Sequence, residues 1–102
     1  MYEEDDITNL PARFFASEIT REQLLLQLNQ ELPYSLAVEY ENWEEQKDES
    51  VKISQAIIIT KNSHKNIVIG RNGNRIRAIG IVSRKNIEKL LGCKVHLFLF
   101  VK

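Results

Sequence analysis

Ser63-His64-Lys65-Asn66-Ile67-Val68-Ile69-Gly70-Arg71-Asn72-Gly73-Asn74-Arg75-Ile76-Arg77-Ala78-Ile79-Gly80 decides the fold of this chain. Two glycines three apart interrupt a helical pattern, and a tight turn without Cβ atoms is the simplest structure that fits them. Upstream, Asn62 or Ser63 can cap a short helix that ends at Gly70. Downstream, Ile76, Ile79, Gly80, Ser83, Ile87, Leu90 and Leu91 fall on one face of a helix over Asn74–Leu91, with Gly92 as its left-handed stop. Ile81 and Val82 lie off that stripe, which predicts a contact with a neighbouring helix as well as with a sheet.

Strands flank this pair of helices. Val51 to Thr60 alternates through Ile53 and then becomes continuously apolar at Ala56-Ile57-Ile58-Ile59, the pattern of a central strand. Val95–Val101 alternates, with Val95, Leu97, Leu99 and Val101 on one face and His96, Phe98 and Phe100 on the other. Leu36, Val38 and Tyr40 form an earlier strand. Trp43 breaks its phase and implies a bulge or an exposed aromatic, and Glu44–Ser50 is the hairpin loop. Before it, Phe14, Phe15, Ile19, Leu25, Leu26, Leu28 and Leu32 suggest one helix over Pro11–Leu32, with the Phe pair in phase with the leucines and Pro33 ending it. Thr20 with Gln23 offers a second capping box, and hence a later start or a kink. Residues 1–10 are acidic, lack apolar periodicity and read as a linker remnant. The order α-β-β-α-α-β is an α+β domain: a three-stranded mixed sheet covered on one face by helices, with a right-handed crossover between its parallel strands.

The 102 residues allow one domain with one two-layer core. Composition is that of an ordinary folded chain, with 43% hydrophobic and 27% charged residues, which excludes wholesale disorder. No apolar run is long enough for a transmembrane helix, and the acidic first residues are not a secretory signal. Cys93 stands alone, so no disulfide framework exists and a reducing compartment is expected. The formal net charge of zero conceals a split. Residues 1–50 carry three bases against 13 acids, and residues 51–102 carry 11 bases against one acid, Glu88. Such asymmetry fits a polyanion-binding surface in the second half, or two halves that attract each other.

The chemistry concentrates around Ile69-Gly70-Arg71-Asn72-Gly73. A phosphodiester backbone can approach the glycines closely, while the following helix N-terminus offers unpaired N–H groups to an anion. Arg71, Arg75, Lys65 and Arg77 add positive charge, Asn72 sits beside Arg71 inside the turn, and Ile58, Ile69 and Ile76 are available as an apolar floor for unstacked bases. His64 either supports the short helix or touches ligand; no nucleophile or paired carboxylate lies near it. Neither nucleotide-binding glycine loop, G-x-x-x-x-G-K-[ST] or G-x-G-x-x-G, is present. Cys93 and His96 are too few for a zinc site. Glu39, Glu41, Glu44 and Glu45 form a solvated strand and loop, and Arg84, Lys85 and Lys89 read equally as a solvated face or an RNA contact. Phe98 and Phe100 can stack on bases, but packing under the N-terminal helix or against a partner is favoured.

A helix-flanked, apolar-backed Gly-x-x-Gly followed by an α-β ending resembles the KH (K-homology) module of type II, whose loop clamps single-stranded nucleic acid. The run Ser63–Gly80, together with Pro11-Ala12-Arg13-Phe14-Phe15-Ala16, Glu31-Leu32-Pro33-Tyr34-Ser35, Asn86-Ile87-Glu88 and Lys94-Val95-His96-Leu97, is similar to the C-terminal KH domain of the Era GTPase family. Ser83-Arg84-Lys85-Asn86 departs from it, because the family usually has Ala-Arg, one variable residue and Asp. The resemblance implies residues 11–102 as the KH domain and residues 1–10 as remnant linker. It implies an RNA-binding set of His64, Lys65, Ile69, Gly70, Arg71, Asn72, Gly73, Arg75, Ile76 and Arg77. Its implied partners are the 3′ end of small-subunit rRNA, the 30S ribosomal subunit and a GTPase domain in cis. The implied location is cytoplasmic, peripheral on the inner face of the cell membrane. No catalytic residue, metal or cofactor is expected in this chain, since GTP and magnesium belong to the GTPase domain. The alternative is a KH fold that binds protein and has no RNA affinity.

Overall fold

The computed structural model describes residues 2–28 and 36–102. Helix α1 (Tyr2–Leu28) is followed by strands β1 (Ala37–Glu45) and β2 (Val51–Ile58) and by helix α2 (Asn62–Ile69). A 3-10 turn (Arg71–Gly73), helix α3 (Asn74–Leu91) and strand β3 (Val95–Val101) follow. The sheet order is β1-β2-β3, antiparallel between β1 and β2 and parallel between β2 and β3. The apolar strand is therefore central, as its composition requires, and the α+β order is the expected one.

Period 2 along β2 decides what the helices cover. Val51, Ile53, Gln55 and Ile57 are buried and point to the helical layer. Two apolar clusters fill that layer. Leu24 and Leu28 of α1, Leu36, Ile57, Ile59, Val68 of α2 and Ile79 of α3 form one. Ala16, Val51, Ile53, Ile87 and Val95 form the other. Between them runs a buried polar layer. Thr20 lies midway between Ala16 and Leu24, Gln55 between Ile53 and Ile57, and Ser83 between Ile79 and Ile87. The Thr20 hydroxyl donates to Gln55 Oε1 at 2.6 Å, which ties α1 to the central strand in one register.

Several expectations are corrected. Helix α1 begins at Tyr2, and Pro11 stands inside it rather than at its start. The buried stripe of α1 is Ala16, Thr20, Leu24 and Leu28, four apart, because small Ala16 and Thr20 admit close approach to the sheet. Phe14 and Phe15 are thereby left exposed, edge to face at 5.5 Å. The expected helix end at Leu32 and Pro33 lies outside the described residues. Strand β1 extends to Glu45 through a register shift between Tyr40 and Asn42. That bulge returns Trp43 to the inner face, opposite Ile53, and shortens the hairpin loop to 46–50. Asp48 fastens the loop by accepting from the Ser50 N–H at 3.1 Å and the Ser50 hydroxyl at 2.6 Å. These bonds hold its carboxyl below the ordinary range.

Helix α2 is capped by neither Asn62 nor Ser63. Lys61 occupies the cap position in extended conformation, with no side-chain hydrogen bond. Helix α3 spans the expected residues and packs on α1 as well as on β3. Ile81 and Val82, however, stay exposed. Phe98 and Phe100 do not pack under the N-terminal helix. Among the described residues the helical packing lies on the other side of the sheet, and the two rings are 44% and 49% exposed on the face it leaves bare. Lys52 there lies 5.6 Å from the Phe98 ring centroid. Ile58 shares that bare face by strand parity.

Candidate nucleic-acid interface

The loop between α2 and α3 is built by its backbone. Gly70 has φ 75° and ψ 178°, a region open essentially to glycine alone, and its N–H donates to the Asn66 carbonyl at 2.9 Å. Asn72 (φ 57°) and Gly73 (φ 75°) are both left-handed, which asparagine and glycine tolerate best. A Cβ at Gly70 would lie 2.8 Å from Cβ and 2.9 Å from the backbone N of Arg75. Gly70 is therefore fixed from within the protein. At Gly73 a Cβ would meet nothing within 4 Å, so that face of the loop is open to an approaching ligand.

Helix α3 begins immediately after, with no side-chain cap and no acidic residue in its first turn. The Asn74 N–H donates to the Arg71 carbonyl within the 3-10 turn, while the positive dipole end of α3 meets no acidic side chain of its own first turn. Arg71, Asn72 and Arg77 are exposed beside this terminus, as is Arg75, whose stem packs against Gly70. Ile69 is 37% exposed at the end of α2. Lys65 and His64 are half-buried one to two turns back, and His64 Nδ1 is buried without a protein partner.

Away from the loop, α3 and β3 run in opposite directions and enclose a groove of about 310 Å³. Ile76, Arg77, Gly80, Ile81 and Arg84 form one wall, and Leu97 and Leu99 the other. Gly80 keeps the walls close, since a Cβ there would stand 3.7 Å from Leu99 Cδ1. The groove starts at the glycine loop and ends where Glu88 accepts the Val95 N–H at 2.9 Å. Its β3 wall has polar capacity as well. The Lys94 carbonyl accepts from Val51, the Lys102 carbonyl accepts from Ile59, and the Lys102 N–H donates to Ile57. By alternation, the N–H and C=O groups of Leu97 and Leu99 point away from β2, along an edge that pairs with no strand among the described residues.

The structure thus brings Ile69, Gly70, Arg71, Asn72, Gly73, Arg75, Ile76 and Arg77 to one end of a groove, with His64 and Lys65 behind them. It does not bring Ile58 there; that residue faces the opposite side of the sheet, and Leu97 and Leu99 complete the apolar floor instead. Gly80, Ile81 and Arg84 are the other groove residues absent from the sequence-derived set. Their signal was available in part: Ile81 is off the buried stripe, and Arg77, Ile81 and Arg84 recur at intervals of four and three. Among the described residues, no group of three or more His, Cys, Asp or Glu side chains is placed to hold a metal, and no helix is long and apolar enough to cross a membrane.

The family model for the KH domain matches residues 31–102. This chain belongs to the KH-domain family. The KH match includes the loop, the groove and the whole sheet. Over all 102 residues the chain is 58% identical to GTPase Era of Rickettsia canadensis, and over 101 residues it is 54% identical to GTPase Era of Agrobacterium fabrum. It spans 35% and 32% of those proteins, about a third of their length. Two solved structures share the fold. Aquifex aeolicus Era bound to GDP and aluminium fluoride matches 91% of this KH chain with a TM-score of 0.84 at 35% identity, over 32% of its own chain. Era in complex with MgGDPNP and nucleotides 1506–1542 of 16S ribosomal RNA matches 92% with a TM-score of 0.84 at 34% identity, again over 32% of its own chain. The resemblance to the Era KH domain, first visible in Ser63–Gly80, is borne out.

Proposed function

We propose that this KH domain binds single-stranded RNA, and that it serves as the rRNA-binding domain of an Era-like GTPase acting on the 3′ end of small-subunit rRNA in 30S ribosome biogenesis. The observation that carries this reading is the groove itself. A phosphate can approach the open face of Gly73 and the uncapped N-terminus of α3, with Arg71 and Arg77 adjoining. Bases can then lie on Ile76, Ile81, Leu97 and Leu99, where the backbone groups of Leu97 and Leu99 meet their hydrogen-bonding edges. The related Era structure with 16S rRNA nucleotides supports RNA as the ligand. In the same reading GTP and magnesium bind a GTPase domain in cis. The 30S subunit is the assembly served, and the domain works in the cytoplasm, peripherally at the inner face of the membrane. Residues 1–10 connect it to the GTPase domain. A second reading, protein docking without RNA affinity, draws on the bare sheet face that carries Phe98 and Phe100.

The test is fluorescence anisotropy with a labelled rRNA 3′-end oligonucleotide and a scrambled control. Binding should weaken with salt as counterions are released. Replacing Arg71→Asp and Asn72→Asp together should lower affinity by roughly 100-fold or more, about 2.7 kcal/mol. Both positions are exposed, so the circular-dichroism spectrum and melting temperature should hardly move. Retention of affinity by the double variant would sink the clamp assignment, and failure of the unaltered domain to bind at low salt would favour protein docking.

A further inference from the structure

Glu88 is the sole acid in residues 51–102 and stands among Arg84, Lys85, Lys89 and Lys94. Judged by charge alone it opposes a polyanion. Its geometry gives it another part. A single carboxylate oxygen, Oε2, accepts the Val95 N–H at 2.9 Å and the Arg84 guanidinium at 3.1 Å. Arg84 lines the α3 wall of the groove. Val95 is the first β3 residue whose N–H points away from β2 along the free edge. One oxygen atom therefore joins both walls at the end remote from the glycine loop. The Val95 bond and the Arg84 charge also keep the carboxyl below its ordinary range, so Glu88 is ionised at neutral pH.

We propose, building on the single-stranded RNA reading above, that Glu88 is the positioning residue of the groove. It fixes the Arg84 guanidinium at the α3–β3 seam and occupies the Val95 donor. An incoming strand thus meets an arginine already in place and finds the readable β3 edge beginning at Leu97. The same carboxylate marks the end of the track, because a further phosphate beyond Arg84 would face its charge.

A charge-only role and a positioning role predict opposite signs. Deleting an acid from a basic surface should tighten RNA binding through electrostatics, whereas deleting a positioning residue should weaken it. With the rRNA 3′-end oligonucleotide as probe, Glu88→Ala is expected to weaken binding by about tenfold, the scale of one charge-assisted hydrogen bond. Glu88→Gln, whose amide oxygen can still accept from Val95 and Arg84, should restore affinity to within about threefold of the unaltered protein. Arg84→Ala should lose as much as Glu88→Ala, and combining the two should lose no more, since Glu88 acts through Arg84. Amide exchange at Val95, read by NMR without RNA, should accelerate in Glu88→Ala and not in Glu88→Gln.

If Glu88→Ala binds as tightly as the unaltered domain or more tightly, or if the double variant is additive, the positioning role is wrong while the RNA reading stands. If the unaltered domain does not bind the oligonucleotide, both fall together. Should Glu88→Ala fail to fold, Glu88→Gln decides alone: a several-fold gain in affinity overturns the proposal, and near-unchanged affinity with unchanged Val95 exchange supports it.

Discussion

Replacing Gly70 with alanine should destabilise the domain far more than the same change at Gly73, although both glycines belong to one turn and both have φ 75°. The difference lies in ψ and in the surroundings. Gly70, at ψ 178°, occupies a region that costs an L-residue about 1–3 kcal/mol. Its new Cβ would also stand 2.9 Å from the Arg75 backbone N, an atom held by α3 that cannot swing aside as a side-chain end would. Relieving that contact means moving the first turn of α3 away from α2, so the total is about 3–4 kcal/mol. Gly73, at ψ 16°, is ordinary left-handed backbone with open space around the added methyl, and about 1 kcal/mol covers it. For a domain near 100 residues, 1 kcal/mol moves the melting temperature by about 4–8 °C. Gly70→Ala should therefore lower it by roughly 15–25 °C and Gly73→Ala by roughly 5 °C. Thermal melts followed by circular dichroism, with urea unfolding as a second measure, separate the two. Equal losses, or a larger loss at Gly73, would refute the claim that Arg75 and α3 fix the loop from within. RNA affinity should follow the opposite order among the folded molecules. The methyl at Gly73 projects into space a phosphate would need, so Gly73→Ala should bind weakly while remaining well folded.

Two further outcomes follow from the groove and its far end. Gly80→Ala should raise stability by about 0.5–1 kcal/mol, because glycine in a helix interior is costly and the new methyl meets Leu99 at ordinary contact distance; Gly80→Leu should instead block the groove, and isothermal titration with the oligonucleotide would show RNA binding lost. The carboxyls of Asp48 and Glu88 are both held below their ordinary range, so the stability they add is present above the unfolded carboxylate pKa and disappears as pH falls through the lower folded values. Melting temperature should accordingly decline on acidification below about pH 5, and Glu88→Gln, which removes one of the two titrating groups, should make that decline shallower.

How far the sequence reveals this protein differs from element to element. Helix α3 is legible to the residue, since Gly73 and Gly92 bracket an uninterrupted amphipathic run and both take left-handed conformations. The bulge in β1 is legible through Trp43, whose phase makes sense only if one residue is left over before it. The start of α1 is not. Pro11 is a good first-turn residue in isolation, and nothing local announces that the helix continues ahead of it. The Phe pair misleads for a related reason. Hydrophobicity marks Phe14 and Phe15 as core, whereas the close crossing of α1 over the sheet selects the smaller Ala16 and Thr20.

The proposed clamp is legible in Ile69-Gly70-Arg71-Asn72-Gly73 because its chemistry is local: glycines at positive φ, an arginine and a helix N-terminus without a side-chain cap all lie within a few residues. The other wall of the groove was not, because a wall is a relation between elements distant in sequence. Leu97 and Leu99 meet Gly80 only after the chain turns at Gly92 and β3 docks parallel to β2. Ile58 shows the same limit from the other side. A strand that is apolar on both faces cannot declare which face the helices will cover. By itself the sequence determined the elements, their order, the glycine turn and the sign of the charge around it, all of which depend on neighbouring residues. Only the tertiary structure decided which side of β2 is buried, where the groove runs and that Glu88 joins its walls, because those follow from the parity and packing of the whole sheet.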